Sequence, residues 1–238
     1  MNSEQLQQGI EFLAEAGLNL YAVLDCASLP EEIAEMFDQQ AIPLAQYSRL
    51  VLLGHGGQQM WKQLQAFGRQ AKDPVDNYSQ MMAQTFIEQY LGGAPHLMLY
   101  PLTSVMIPLQ RLGTLVGWSH PSPLGLGINH EYGVWFAYRA AFLTTVALPL
   151  TDNAPTTSPC DTCYDKPCIT ACPVGAVRGI NQFNLRACGT FTISPNSPCE
   201  DRCLSRMACP HAPEHRYSLK QIQYHYGLSY QTMKRYYG

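Results

Sequence analysis

The sequence predicts an α+β protein built in three parts. Helical and strand-like segments alternate along residues 1–152, which indicates an α/β layer domain of helices packed on a sheet. Eight of the nine cysteines then fall between Cys160 and Cys209, inside a segment, residues 153–216, that is predicted to be a separate metal-binding module. Residues 217–238 carry apolar and aromatic side chains at helical spacing, and we expect a C-terminal helical tail that packs on the core and breaks at Gly227.

Hydrophobic periodicity and the positions of glycine and proline predict the elements of the first part. The predicted helices are 4–16, 30–39, 58–69, 75–91 and 105–112, and the predicted strands are 18–24, 48–53 and 96–100. Gly17 and Gly113 are expected to end helices, and the GHGG run at 54–57 to form a strand-to-helix turn. The apolar stretch 134–148 fits either a strand or a buried helix. A polar connector with two prolines, residues 153–159, should mark the boundary to the cysteine-rich module.

Composition narrows the class of protein. The 15 Lys and Arg are fewer than the 18 Asp and Glu and are scattered, which argues against an extended nucleic-acid surface. No apolar run approaches the ~20 residues that a membrane-spanning helix needs. The N-terminal MNSEQLQQGIEF has neither the basic nor the apolar stretch of a secretory signal. We therefore expect a cytoplasmic protein with no membrane partner.

The first cysteine group, Cys160, Cys163, Cys168 and Cys172, is followed directly by Pro173. Its spacing, C-x2-C-x4-C-x3-C-P, is that of the bacterial ferredoxin run with two residues added in the middle loop. Thiolates are soft ligands suited to iron-sulfur clusters, and cytosolic cysteines are more often metal ligands than disulfides. The spacing therefore predicts a 4Fe-4S site.

A second group also ends in Cys-Pro, at Cys209 and Pro210. In two-cluster ferredoxins, the cysteine that precedes proline binds the other cluster. By that rule one cluster takes Cys160, Cys163, Cys168 and Cys209, and the other takes Cys172, Cys188, Cys199 and Cys203. The alternative is a pair of four-cysteine zinc sites, which normally use two separated C-x2-C knuckles.

Several motifs outside the cysteines occur in a fixed order. They are LQRLG at 109–113, GW at 117–118, INHEYGVWF at 128–136, LTTVAL at 143–148, SPCDTC at 158–163 and RACGTFTI at 186–193. In order and spacing they resemble the core of the epoxyqueuosine reductase family over residues 48–210. The match is more specific than the cysteines alone.

This resemblance implies a corrinoid-binding reductase fold, shared with reductive dehalogenases and related to nitroreductases and cobalamin-processing proteins. It also implies that the two 4Fe-4S clusters of a ferredoxin-like module relay electrons to a cobalamin held by the first domain. The positions that the resemblance nominates to line the cofactor pocket are Tyr78, Gly117, Trp118, His130, Tyr132, Gly133 and Trp135.

The sequence also departs from the family. Where the family has an Asp-Tyr-His motif with the proton-donating Asp, the aligned residues are Asn77, Tyr78 and Ser79. An amide cannot act as a general acid, and Asp76 is one residue away, where a helix would aim it differently. The chain also lacks the family's C-terminal helical-repeat extension and a basic replacement for it. We therefore expect a substrate other than epoxyqueuosine and no tRNA partner.

Two functions stay open at this point. One is an iron-sulfur reductase that acts on a small molecule through a corrinoid and draws electrons from reduced ferredoxin, flavodoxin or another donor. The other is an electron-transfer or cobalamin-handling protein without substrate chemistry of its own. The catalytic residues are unassigned in both.

Overall fold

The computed structural model describes residues 2–68, 73–102, 104–152 and 157–238. Packing divides the chain into two units, Met1–Gly117 with Phe136–Ala154, and Trp118–Trp135 with Pro155–Gly238. The cysteine-containing unit thus includes Trp118–Trp135, which the sequence analysis places in the first domain. Four residues of the predicted connector, 153–156, lie outside the described residues.

A four-stranded antiparallel sheet with strand order β1-β2-β6-β3 forms the centre of the first unit. Its strands are β1 (Leu20–Asp25), β2 (Arg49–Gly56), β3 (His96–Tyr100) and β6 (Phe136–Thr144). Its helices are α1 (Ser3–Glu15), α2 (Glu31–Asp38), α3 (Gln59–Phe67), α4 (Pro74–Tyr90) and α5 (Leu109–Leu115). Because every strand pair is antiparallel and the helices are not βαβ crossovers, the class is α+β, as the sequence predicts.

The stretch at 134–148, ambiguous in sequence, is the central strand β6. It is paired on both sides, so its side chains from Ala140 to Thr144 are all buried. Both pairings contain a register shift, one beside Leu53 and Gly54 of β2 and one between Met98 and Tyr100 of β3. Such irregularities re-aim the side chains next to them.

The predicted end of the second strand is wrong. β2 continues through Gly54 and His55 to Gly56, which pairs with Phe136. The GHGG run thus extends the sheet before the chain turns, because β6 supplies a partner for these backbone groups and glycine tolerates the shifted register.

The predicted helix at 105–112 is also misplaced, since α5 begins at Leu109 and runs past Gly113. Gly113 does not end the helix; its lack of a side chain allows a neighbouring residue to pack closely. A Cβ at this position would lie 1.8 Å from the hydroxyl oxygen of Tyr138. The glycine is therefore required by close packing and not by a helix stop.

The second unit consists mainly of short elements. They are β4 (His120–Pro121), β5 (Gly127–Ile128), α6 (Pro167–Thr170), α7 (Leu185–Thr192), α8 (Leu204–Met207) and α9 (Leu219–Tyr237). The predicted break at Gly227 is wrong, because α9 is continuous through it. A glycine inside a helix costs only about 1 kcal/mol. Contacts at both ends of α9 offset that cost, for example the Tyr237 ring packed against Gly189 of α7.

In the part of the chain that the structure describes, no helix is both long and apolar enough to cross a membrane.

Candidate functional site

All eight cysteines of the two sequence groups lie in the second unit as free thiols. Short helices position several of them. Cys168 lies within α6 and Cys172 directly after it, Cys188 lies within α7, and Cys203 caps the start of α8. The short elements therefore bring thiols that are distant in sequence onto neighbouring turns of backbone.

The first set of thiols, here called set one, is Cys160, Cys163, Cys168 and Cys209. Burial raises the pKa of Cys160, and the nearby thiols of Cys209 and Cys163 raise it further. Burial, followed by Cys209, Cys160 and Cys163, raises the pKa of Cys168 to about 11. Mutual influence of this kind shows that these thiols lie near one another.

The second set, set two, is Cys172, Cys188, Cys199 and Cys203. All four line one cavity of about 520 Å³. Its remaining wall is mostly apolar, with Leu124, Phe183, Phe191 and Met233 among the residues that line it. Four thiols around an apolar space are a donor set that fits a cubane cluster, which is bound through its iron corners and sheltered from water.

Backbone N–H groups point at the sulfur of Cys172. Burial raises the pKa of this thiol, but hydrogen bonds from the N–H groups of Val177, Val174 and Ala176 and from the Ser205 hydroxyl outweigh it, so the pKa is lowered. The Ala176 N–H lies 3.2 Å from Sγ. Hydrogen bonds of this kind stabilise the thiolate, which is the form that binds metal.

Among the described residues, no three or more Cys, His, Asp or Glu side chains converge on one point as the ligands of a single metal ion do. A cubane cluster differs from one ion, because its four thiolates bind four separate irons.

The residues nominated for a cofactor pocket are divided between the units. Tyr78 and Gly117 belong to the first unit, and Trp118, His130, Tyr132, Gly133 and Trp135 belong to the second. The Tyr78 side chain is only 5% exposed, and its hydroxyl donates to the Ala16 carbonyl at 2.9 Å. Trp118 and Trp135 are likewise buried. None of the seven lines the cavity of set two.

A residue that the sequence analysis missed, Asn129, organises the loop that carries three of these positions. Its side chain accepts the N–H groups of Glu131 and Tyr132, each at 2.9 Å, and donates to the Trp118 carbonyl at 2.9 Å. The sequence signal for this role is an Asn that precedes a turn, since an Asn side chain can accept a hydrogen bond from the backbone two residues later. Gly133 closes the turn with φ +57°.

This loop packs against the segment that follows Cys209. The His211 ring nitrogen Nε2 lies 2.6 Å from the His130 carbonyl, and the rings of Tyr132 and His215 are 4.6 Å apart. A Cβ on Gly133 would lie 2.8 Å from the His211 carbonyl oxygen. The nominated loop residues therefore hold the backbone after a ligand of set one.

In the first unit, a group of titratable side chains surrounds the register shifts of β6. Arg139 donates from Nε to His55 Nδ1 at 2.8 Å, and His55 is only 1% exposed. Burial raises the pKa of Asp76, while the nearby Arg139 lowers it. Asn77, the residue aligned with the family's acid, is exposed. Asp76 is therefore the carboxyl at this end of α4 that faces the protein interior.

The Asp76→Asn variant is expected to raise the stability of the protein slightly at neutral pH. The folded state binds the Asp76 proton more tightly than the unfolded chain, so the free energy of unfolding falls as the pH rises from 3.8 through the raised pKa. Asn carries no such penalty, and we expect a thermal midpoint about 2 °C higher at pH 7. Thermal unfolding measured between pH 3 and 8 checks this. A variant that is less stable at pH 7 would show that the attraction to Arg139 outweighs burial.

The fold and the two thiol sets together define a class, an α+β domain joined to a cysteine-rich unit. Solved structures of epoxyqueuosine reductases have this same fold. One, in complex with an epoxyqueuosine-modified tRNA-Tyr stem loop, is 14% identical with a TM-score of 0.60, and the match covers 93% of this chain and 69% of that one. The Bacillus subtilis enzyme is 14% identical with a TM-score of 0.59, covering 92% and 68%. That of Streptococcus thermophilus is 11% identical with a TM-score of 0.54, covering 89% and 66%.

No protein-family model matches the sequence, and no curated protein matches it at a significant level. The chain is therefore epoxyqueuosine reductase-like in fold, and at this identity the likeness concerns the fold alone.

Proposed function

We propose that the protein is an iron-sulfur oxidoreductase that holds one 4Fe-4S cluster on each thiol set and passes electrons to an acceptor bound by the first unit. The observation that carries the proposal is the cavity of about 520 Å³ whose wall contains all four thiols of set two. When bound, a 4Fe-4S cluster supplies one-electron transfer. A redox role also agrees with the fold shared with known reductases.

The chain's own residues suit this role in three ways. The apolar wall of Leu124, Phe183 and Phe191 keeps water from set two. Backbone N–H groups stabilise the Cys172 thiolate before any cluster arrives. Cys160, Cys168 and Cys209 are each less than 10% exposed, which shelters set one in the same manner.

For the acceptor, the sequence resemblance favours a corrinoid. The nominated residues are divided between the two units, and we derive no step through a corrinoid. Asp76, half-buried beside Arg139, is the side chain that we propose as a proton source in place of Asn77. A carboxyl whose pKa is raised keeps its proton to a higher pH than an exposed carboxyl does, which favours a role as a proton donor.

For partners, we propose a small-molecule substrate and a reduced ferredoxin or flavodoxin as electron donor. The tRNA stem loop belongs to one of the similar structures. This chain has a net charge of -3, and its 15 basic residues are scattered, which disfavours the same partner here.

The test of the proposal is metal analysis of protein purified without oxygen. We expect about eight irons and about eight sulfides per chain, with electron paramagnetic resonance signals of reduced 4Fe-4S clusters after dithionite. Zinc in place of iron would refute the cluster proposal.

A corrinoid acceptor is tested separately, by the absorbance of the loaded protein mixed with hydroxocobalamin before and after reduction. A spectrum that is the sum of its parts would reject the corrinoid. Binding and reduction without turnover of any tested substrate would favour the cobalamin-handling alternative.

A further inference from the structure

Arg206 is a half-buried cation next to set two that the proposed ligation does not use. Its guanidinium lies over the rings of Trp135 and Tyr217, 4.8 and 5.1 Å from their centroids. Nε and a terminal nitrogen both donate to the Val134 carbonyl, at 3.2 and 2.6 Å. Among the described residues, no carboxylate lies within ion-pair distance of it. The charge is therefore held rigidly and is not neutralised by a partner.

Arg206 is connected to a ligand of set two through Tyr226 of α9. Tyr226 lines the set-two cavity together with Arg206 and Cys203, and its hydroxyl interacts with both of these side chains. The backbone N–H of Arg206 also donates to Cys203 Sγ, at 3.4 Å. The same guanidinium acts electrostatically on Cys209 of set one. One cation thus influences a ligand of each set.

We propose that Tyr226 raises the reduction potential of the set-two cluster and that Arg206 raises the reduction potentials of both clusters. This inference rests on the proposed function. Uptake of one electron makes a cluster more negative, so a hydrogen bond to its sulfur and an unpaired positive charge nearby both favour the reduced state. Tyr226 provides the hydrogen bond, and Arg206 provides the charge while it orients the Tyr226 hydroxyl. Because it orients the Tyr226 hydroxyl and is not itself a ligand, Arg206 is a positioning residue.

Arg202 offers a matched control, because it also lines the set-two cavity. Its side chain differs in being paired with Asp201, with nitrogen–oxygen distances of 2.6 and 2.9 Å. Removing Arg202 alone would leave the Asp201 carboxylate uncompensated, so the control removes both members of the neutral pair in the double variant Arg202→Gln/Asp201→Asn, which should leave the field at the cluster nearly unchanged.

The experiment is a redox titration, followed by electron paramagnetic resonance, of the full chain, of the Tyr226→Phe, Arg206→Gln and Arg206→Lys variants, and of the Arg202→Gln/Asp201→Asn double variant. In Tyr226→Phe we expect one cluster to become harder to reduce by about tenfold in the equilibrium constant, or ~59 mV for one electron. Arg206→Gln should shift that cluster at least as far and the other cluster in the same direction. Arg206→Lys keeps the charge, so it should leave the potential of the other cluster unchanged, and the Arg202→Gln/Asp201→Asn double variant should shift neither potential.

Iron content accompanies each titration. A purely structural role would change iron content or stability and leave the potentials unmoved. Full iron content with unshifted potentials in Tyr226→Phe and Arg206→Gln would overturn the inference alone. A wild-type protein without clusters would overturn the proposed function and this inference with it. Should Arg206→Gln fail to fold, the nearly isosteric Tyr226→Phe and the charge-retaining Arg206→Lys still decide the outcome.

Discussion

Cys172→Ser is expected to bind about four irons per chain in place of about eight, and to lose the cluster of set two. Cys172 belongs in sequence to the first group, but its sulfur faces the cavity lined by Cys188, Cys199 and Cys203. A hydroxyl is a poor substitute for a thiolate as an iron ligand, and the remaining three thiols leave one iron without its ligand. Iron and sulfide analysis with electron paramagnetic resonance measures the loss.

Two double variants separate crossed from uncrossed ligation. If the sets are as the structure places them, Cys172→Ser combined with Cys188→Ser removes two ligands of the same cluster, and about four irons stay bound. Cys172→Ser combined with Cys163→Ser removes one ligand from each cluster, and both should be lost. Loss of both clusters in the first double variant, with about four irons still bound in the second, would mean that each cluster is bound by the four cysteines of one sequence group.

Gly17→Ala is expected to destabilise the first unit by about 3–5 kcal/mol. Gly17 follows α1 with φ +86°, and a Cβ there would lie 2.3 Å from both the backbone N and the Cα of Met60. The variant therefore combines left-handed backbone strain with a collision against main chain, which cannot rotate away as a side chain could. Chemical denaturation monitored by circular dichroism gives the free energy of unfolding.

The matched control for this prediction is Gly92→Ala. Gly92 also has a positive φ, +66°, but a Cβ there would meet no atom within 4 Å. Only the backbone strain applies, so we expect a loss of about 1 kcal/mol. Equal losses in the two variants would show that Met60 yields and that the collision contributes nothing.

Local patterns predict much of this fold. Helical periodicity and a closing glycine locate α1 and α4 to within two residues, and the apolar run at 96–100 is β3 as predicted. The cysteine spacing also assigns four ligands to each of two clusters, and this assignment stays a prediction. These features depend on neighbours in sequence, which is why the sequence contains them.

Other features depend on residues far apart in the chain. Gly113 resembles a helix stop, but Tyr138 decides its role, and nothing near position 113 indicates that contact. The Asp76 carboxyl is influenced by Arg139 on β6, which is distant in sequence. Arg206 and Tyr226 meet Cys203 only once α9 has packed, so no spacing rule identifies them.

The membership of set one has a consequence for the entropy of the unfolded chain. Cys160 and Cys209 are about 50 residues apart, and every residue of set two lies between them. Under the proposed ligation, one cluster closes a large loop and the other closes a smaller loop nested inside it. Cross-linking a chain over such a length lowers the conformational entropy of its unfolded state, which raises the free energy of that state by about 4 kcal/mol. Loading the outer cluster therefore restricts all the ligands of the inner one, so the two sites are linked through chain topology as well as through space.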